Sequence, residues 1–302
     1  MRSIDWKALQ RLRAAFLDGS AGTRDYWQSG SDLDSYDQTF GQRIRWKWDY
    51  VLRELQQRGW SPPRGEVLDW GCGTGIACRA LLAHFGVEQV TRVQLCDRSD
   101  MAMQYAARRL REGFPDINLW LESAGAGNAS TLLVSHVLNE LSDRQTEELR
   151  ALASTAIAVI WVEPGTHEIS RRLIGIRERL RGQFHVVAPC PHQDACGLLT
   201  PENHRHWCHH FVPSPPGVFT DGDWARFGRL AGVDLRSLPV SFLVLDRRPA
   251  PPLPAGVTRV IGRPRVYKAH ALVLRCDATG VRDCRLTKRE SPEEFRRLKK
   301  GA

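Results

Sequence analysis

The stretch EVLDWGCGTGIACRALLAHFG, residues 66–86, places three glycines between a short apolar run and a helical pattern. A strand that runs into Gly71, Gly73 and Gly75 and then directly into a helix can turn tightly and approach a ligand at the helix N-terminus. A dinucleotide fingerprint would have its third glycine one position later, where this chain has Ile76. The stretch therefore predicts a nucleotide-type binding turn of another kind.

Strand-like and helical patterns alternate along the chain after this turn. Apolar runs separated by helical stretches lie at residues 66–70, 90–96, 117–121, 131–138 and 156–162. Such alternation is typical of a parallel sheet with helices on both faces. We expect an N-terminal helical region at 1–60, a Rossmann-like core at 61–182, and a helix and strand within 223–248 that complete the core.

Two acids accompany the glycines at the spacing of one βαβ unit. Asp69 precedes the turn, and Asp97 follows the next strand, where a carboxylate can accept hydrogen bonds from both hydroxyls of a ribose. In methyltransferases an acid and glycines of this kind hold the amino acid end of S-adenosylmethionine. The alternative is a tight turn with a solvated acid. The predicted cofactor-binding residues are Asp69, Gly71, Cys72, Gly73, Gly75, Asp97 and Ser135, and the predicted fold is α/β, the class I S-adenosylmethionine-dependent methyltransferase fold.

Composition limits the partners of the chain. Its 302 residues carry a formal net charge of +9, and a basic surface attracts polyanions such as nucleic acid. No stretch resembles a signal peptide or approaches the ~18 apolar residues that a membrane span requires. We therefore expect a cytoplasmic protein that binds no membrane.

A Cys/His-rich segment at 183–222 lacks regular periodicity and is too long for an ordinary loop. Within it, the stretch APCPHQDACGLLTPENHRHWCHHF contains Cys190, Cys196 and Cys208 together with five histidines, and clustered thiols in a reducing compartment usually bind metal. An iron–sulfur cluster requires four cysteines. Cys276 is the best-placed fourth ligand and Cys284 the second choice.

Three other interpretations of this segment stay open. Zinc prefers closely spaced CxxC pairs, which are absent here, yet a mixed Cys/His zinc site remains an alternative. A histidine-rich surface loop with buried cysteines is another. Cys190 after a proline could also be the nucleophile of a cytosine-5 methyltransferase, although it lies well beyond the strand ends where such a nucleophile belongs.

Several further motifs are shared with one family. The chain resembles the methyltransferase-like proteins of the small ribosomal subunit, known from mitochondrial ribosome assembly and from bacterial relatives. The matching segments are VLDWGCGTG, SHVLNEL, WVEPGT, the arginine of GIRERL, APCPH with its following cysteines, WCHHF, and the stretch from RPR to RC. They span most of residues 40–280.

The resemblance implies an S-adenosylmethionine site, a four-cysteine [4Fe-4S] site, and action on the small ribosomal subunit or its RNA rather than on DNA. Carried over position by position, the cluster ligands are Cys190, Cys196, Cys208 and Cys276. The segment between Cys196 and Cys208 is longer and richer in histidine than the family pattern.

Catalytic residues cannot be assigned from the sequence. Amino-group methylation of RNA usually uses Asn or Asp followed by two prolines and an aromatic residue, whereas this chain has SHVLNEL at 135–141. Asn139 and Glu140 are expected to start the next helix. Glu163 could face the cofactor or cap the helix near Thr166. An RNA methyltransferase, an assembly factor that binds the cofactor without transfer, and a zinc-containing methyltransferase of another substrate therefore remain candidates.

The C-terminal residues 249–302 form a predicted β-rich basic extension. It follows the stiff break PAPPLPAG and contains Arg259, Arg263, Arg265, Lys268 and a basic tail from residue 282. We expect these cations to contact RNA phosphates. A metal site that includes Cys276 would place this extension beside the cofactor site.

Overall fold

Two β-sheets organise the chain in a computed structural model that describes residues 4–18, 25–122 and 129–301. The larger sheet contains β1 (Gly65–Trp70), β2 (Val90–Cys96), β3 (Leu119–Glu122), β4 (Thr131–Ser135), β5 (Ala158–Pro164), β6 (His185–Ala188), β7 (His210–Phe211) and β8 (Pro239–Asp246). The smaller contains β9 (Arg259–Val266), β10 (His270–Asp277) and β11 (Gly280–Thr287).

The strand order of the larger sheet identifies the fold. The order is β3-β2-β1-β4-β5-β8-β6, with β7 paired to the beginning of β8. Strands β1 to β5 are parallel, and β8 is antiparallel to its neighbours β5 and β6. The chain has the class I S-adenosylmethionine-dependent methyltransferase fold, as the sequence predicts.

Helices pack against the larger sheet in two apolar clusters, and three helices precede its first strand. The helices of the described residues are α1 (Trp6–Asp18), α2 (Gly30–Gln38), α3 (Phe40–Gln57), α4 (Ile76–Phe85), α5 (Asp100–Gly113), α6 (Asp143–Ala153), α7 (His167–Leu180), α8 (Gly222–Ala231) and α9 (Pro292–Gly301), the last of which packs on the smaller sheet. Helix α3 faces the core with one apolar stripe, in which Trp48, Val51, Leu52 and Leu55 are fully buried. Each such side chain contributes about 1.5–3 kcal/mol by leaving water.

One strand boundary differs from the sequence prediction, and one strand was not predicted. The run predicted to extend to residue 138 ends at Ser135, because His136 adopts a φ of +57° that a strand cannot contain. Strand β6 lies inside the segment predicted to lack regular structure. A four-residue strand is too short to show periodicity, and its pairing with β8 defines it.

The smaller sheet confirms the predicted β-rich extension. Its strands are antiparallel and α9 packs against them. Arg259 does not lie on the surface as predicted. Its guanidinium donates to both carboxylate oxygens of Glu54 on α3, at 2.7 and 2.9 Å, and is only 18% exposed, so this ion pair attaches the sheet to α3. Arg263, Arg265 and Lys268 are exposed.

No helix in the described part of the chain is long and apolar enough to cross a membrane.

Candidate functional site

The glycine turn after β1 requires glycine for two different reasons. Gly71, Gly73 and Gly75 all have positive φ, at +67°, +49° and +74°. A Cβ on Gly71 would lie 2.8 Å from Val137, and one on Gly75 would lie 2.9 Å from Ala106. A Cβ on Gly73 would meet no described atom within 4 Å. Gly73 is therefore the position of the turn where a side chain would enter open space.

Asp97 holds this turn from the end of β2. Its carboxylate accepts hydrogen bonds from the backbone N–H of Gly73 at 2.8 Å and of Ser99 at 3.0 Å. Burial raises its pKa despite these two donors. Each carboxylate oxygen has a further lone pair, so Asp97 can still accept hydrogen bonds from a ligand.

A cavity of about 630 Å³ opens in front of the turn. Five of the seven predicted cofactor-binding residues line it, namely Gly71, Cys72, Gly73, Asp97 and Ser135, whereas Gly75 packs against Ala106 and does not. Ser135 Oγ accepts a hydrogen bond from Trp48 Nε1 at 2.9 Å. The wall also includes Tyr26, Trp27 and Tyr36, which no sequence motif predicted as site residues.

Asp69 lies beneath the turn and does not line the cavity. It is fully buried, and its Oδ2 accepts from the backbone N–H of Cys78 at 3.1 Å, in the first turn of α4. Because side chains alternate along a strand, the neighbouring Trp70 reaches the cavity instead. Burial raises the pKa of Asp69 to about 8. Asp69 therefore holds the first turn of α4 beside the glycine turn.

Glu163 also differs from both predicted roles. It neither lines the cavity nor caps α7, whose N-cap is Thr166. Its Oε1 accepts from the backbone N–H groups of Val137 and Leu138, each at 3.2 Å, and from Trp161 Nε1 at 2.8 Å. Burial raises its pKa to about 7. Glu163 thus fixes the loop that follows β4.

A lysine and a histidine meet where this loop begins. Lys47 Nζ of α3 lies 3.0 Å from Nε2 of His136, and both side chains are largely enclosed. Burial, with the charge of Arg43 second, lowers the pKa of Lys47 to about 7, while Glu163 opposes the shift. Burial, with the Lys47 charge second, lowers the pKa of His136 well below its usual value.

A second cavity of about 480 Å³ adjoins the first. The two share Tyr36, Ile44, His136 and Glu140 in their walls. Glu140 and Asn139 do not start a helix as predicted: they lie in a turn, and α6 begins at Asp143 after the Ser142 capping box. Burial raises the pKa of Glu140 to about 7.

The four predicted metal ligands come together outside both of these cavities. Cys196, Cys208 and Cys276 belong to one apolar cluster, and Cys190, Cys196 and Cys208 line one small cavity of about 30 Å³. The sulfur atoms of all four lie close enough that their charges would interact. Burial raises the pKa of Cys196 to about 11, that of Cys276 to about 12, and that of Cys208 well above its usual value.

Other groups surround these thiols. His192 Nε2 lies 3.7 Å from Cys276 Sγ, and His210 Nε2 lies 3.8 Å from Cys208 Sγ. Buried Arg177 donates to the backbone carbonyls of His192 and Asp194, and it interacts with the Cys190 thiol. Across the described ranges, no three Cys, His, Asp or Glu side chains are already arranged to hold a metal ion. Cys284 lies apart on β11, where its thiol contacts the Arg282 carbonyl.

The family model described as mitochondrial small ribosomal subunit Rsm22 matches residues 49–302. The chain belongs to the Rsm22 family. The match includes the glycine turn, the loop after β4 and all four clustered cysteines. No curated protein matches this chain.

Two of the solved structures similar to this Rsm22-family chain are methyltransferases of low sequence identity. Magnesium protoporphyrin IX methyltransferase of Synechocystis with bound S-adenosylmethionine is 14% identical, covers 82% of this chain and 99% of its own, and has a TM-score of 0.42. TrmK of M. capricolum with bound S-adenosylhomocysteine is 8% identical, covers 65% of this chain and 68% of its own, and has a TM-score of 0.37.

The C-terminal extension of this Rsm22-family chain comes near the second cavity at one point, where Arg263 donates to the Arg236 carbonyl at 3.1 Å, next to Ser237 in the wall of that cavity. Among the described residues of 249–302, none lines either cavity. The sheet instead contacts β7, α3 and the segment that carries the cysteines. The extension therefore contributes no described residue to the wall of the first cavity, and its position beside the cofactor site stays a prediction. Cys276 of β10 joins the smaller sheet to the cysteine segment, because it packs with Cys196 and Cys208.

Proposed function

We propose that this chain binds S-adenosylmethionine in the first cavity and acts as a methyltransferase on RNA of the small ribosomal subunit. The observation that carries the proposal is the cavity itself, whose wall contains the glycine turn and Asp97 hydrogen-bonded to it. Bound S-adenosylmethionine would supply an electrophilic methyl group. The family description, mitochondrial small ribosomal subunit, favours that subunit as the partner.

Three parts of the chain would hold the cofactor. The backbone at Gly71 and Gly73 would approach its amino acid tail, because no side chain intervenes there. Asp97 would accept hydrogen bonds from the ribose hydroxyls. Tyr26, Trp27 and Tyr36 would cover the ligand and exclude water from the reacting methyl group.

An assembly factor that binds the cofactor without transfer is the second candidate. It is favoured by the loop after β4, where SHVLNEL replaces the usual amino-methylation motif and Oε1 of Glu163 accepts three hydrogen bonds from Val137, Leu138 and Trp161. Labelled methyl transfer to purified small-subunit RNA and to a precursor particle separates the two. Incorporation by the wild-type chain that S-adenosylhomocysteine abolishes supports the enzyme. Cofactor binding without incorporation into either substrate contradicts it.

We also infer that Cys190, Cys196, Cys208 and Cys276 hold a [4Fe-4S] cluster. The donor set fits, because three thiols from the Cys/His-rich segment and one from β10 converge in a buried, apolar region. Without a metal, burial keeps the thiols at Cys196, Cys208 and Cys276 protonated, whereas metal binding replaces those protons and supplies folding free energy. Buried Arg177 would offset the negative charge of a thiolate-bound cluster.

A further inference from the structure

The second cavity adjoins the first cavity and shares part of its wall. Its volume of about 480 Å³ lies within the ~300–1,000 Å³ of ordinary ligand sites. Helices α1 and α3 supply one side, and the residues after α8 supply the other. His136 and Glu140 border both cavities, so a ligand in the second cavity would reach the contents of the first at this junction.

The junction contains a backbone conformation that needs support. His136 is the only non-glycine residue in the described part of the chain with positive φ, at +57°. Such residues persist where surrounding structure holds them, and they concentrate at functional sites. Here Glu163 fixes the next two residues, and the backbone N–H of His136 donates to the Val162 carbonyl at 2.9 Å.

Two cationic side chains in the wall of this cavity can donate further hydrogen bonds. Lys47 Nζ contacts His136 Nε2 and has two further hydrogen positions. Arg43 donates from Nη2 to the Ser237 carbonyl at 3.2 Å, but its Nη1 is buried without a partner. Unpartnered buried donors are costly, and a ligand with acceptor atoms would satisfy them.

Part of the wall is aromatic. Phe16, Tyr36 and Phe40 contact one another with ring centroids 5.8 to 6.2 Å apart, and all three line the cavity. Aromatic faces combined with cations are how proteins bind unstacked bases of a single RNA strand. Arg13 adds a further cation to the wall.

We propose that the second cavity is the acceptor pocket and takes one unstacked base of an RNA strand, with Lys47 and Arg43 as its polar contacts. The proposal rests on the proposed function, since the first cavity must hold the methyl donor. A base nitrogen at the junction attacks the methyl carbon, and the carbon–sulfur bond breaks with its electron pair left on sulfur. The proton released by that nitrogen passes to Nζ of Lys47.

The charged surroundings of Lys47 permit this proton transfer. Arg43 faces it from α3, His136 from the loop after β4, and Glu163 from β5. Because the pKa of Lys47 is lowered to about 7, a substantial fraction is the neutral amine at physiological pH. A general base is most effective when its pKa lies near the operating pH.

Binding is tested first, with the protein saturated by S-adenosylhomocysteine and titrated calorimetrically with AMP, CMP, GMP and UMP. We expect at least one nucleotide to bind, and Lys47→Met to weaken it by about tenfold or more, since a charge-assisted hydrogen bond is lost. Lys47→Met places an apolar chain in a buried site and should fold. Arg53→Met, an exposed position of the same helix, should change the affinity less than about twofold.

Failure of any nucleotide to bind, or equal binding by wild type and Lys47→Met, contradicts the pocket. If S-adenosylhomocysteine does not bind but a nucleotide still does in a Lys47-dependent way, the proposed function fails and the pocket stands.

The proton transfer has its own test. In the methyl-transfer assay, wild type should gain activity as pH rises through about 7, as Lys47 becomes neutral. Lys47→Arg keeps a charged donor, so it should retain nucleotide binding but lose this rise and most of the activity. Undiminished transfer by Lys47→Arg, or no transfer by wild type, contradicts Lys47 as the proton acceptor.

Discussion

Asp69 is a buried acid with one unsatisfied oxygen. Its Oδ2 has a single donor and its Oδ1 has no partner, and burial raises its pKa to about 8. The unfolded chain has an aspartate pKa of about 3.9. The folded state therefore binds this proton more tightly, and its contribution to stability is lost as pH rises from about 4 to about 8.

Asp69→Asn should flatten the decrease in unfolding free energy between pH 5 and pH 9, because the amide keeps the acceptor for the Cys78 N–H without a charge. Urea unfolding at a series of pH values measures this. Asp100→Asn, at an exposed position in the first turn of α5, serves as the control and should leave the pH dependence unchanged. Equal slopes for wild type and Asp69→Asn would contradict the assignment.

The cysteines differ in what surrounds them. Cys276 is buried beside His192 and the other clustered thiols, whereas Cys284 lies apart on the neighbouring strand. Cys276→Ser should lower the iron and sulfide content of protein purified without oxygen, and it should expose the segment 189–209 to protease because metal binding contributes folding free energy. Cys284→Ser should do neither.

Elemental analysis of the wild type decides between metals. One zinc per chain with no iron or sulfide would replace the cluster with a Cys/His zinc site. Loss of iron in Cys284→Ser instead of Cys276→Ser would remove Cys276 from the ligand set.

At the scale of elements, α3 connects the parts of the chain. Glu54 near its end pairs with Arg259 of β9 and with Arg58, and Arg58 donates to the carbonyls of Val187, Pro189 and Cys190. One carboxylate thus holds the smaller sheet and the start of the cysteine segment to the same helix. All three charged side chains are less than one fifth exposed.

Glu54→Gln should cost about 3 kcal/mol of unfolding free energy, because it leaves two largely buried guanidinium groups without their counter-charge. Chemical denaturation measures the loss. Asp49→Asn removes a more exposed ion pair of the same helix, with Arg45, and should cost less than about 1 kcal/mol. Similar small losses for both variants would show that Glu54 does not join these elements.

The surface of β9 is the element most suited to contact phosphates. Arg263 and Arg265 alternate with half-buried residues along the strand, and Lys268 follows in the turn. Reversing all three to Glu should lower affinity for small-subunit RNA and reduce the salt dependence of binding, by roughly one unit of slope per lost phosphate contact. The control reverses exposed Arg111 and Arg144, outside this sheet. A salt slope unchanged by the triple variant would contradict the interface.

At the scale of the molecule, the sequence predicts what local pattern determines. The glycine turn, Asp97 and the four cysteines are recognisable because residue type and spacing carry their chemistry. Lys47 and His136 are 89 positions apart, and Glu54 and Arg259 are 205 apart. These contacts form only when helix α3 packs against the two sheets, so no local sequence pattern predicts them.

The same limit explains the buried acids. Asp69 fits a cofactor motif and Glu163 fits the end of a strand, yet burial and backbone donors turn both into supports for neighbouring loops. Their orientation follows from strand alternation and from which loop packs above them. A sequence motif specifies that an acid is present, but not which way its carboxylate faces.

The central claim is that the first cavity binds S-adenosylmethionine against the glycine turn. Calorimetric titration of S-adenosylhomocysteine into wild type and Gly73→Asn tests it most directly. Asparagine tolerates positive φ, and at Gly73 it meets no described atom, so the variant should fold while its side chain enters the cavity. Gly59→Asn, also at positive φ with no described atom within 4 Å but outside the cavity, is the matched control. The account predicts binding by wild type and Gly59→Asn and at least about tenfold weaker binding by Gly73→Asn, as expected for loss of a tight backbone contact. Equal affinity in all three proteins, or no binding by the wild type, would contradict it.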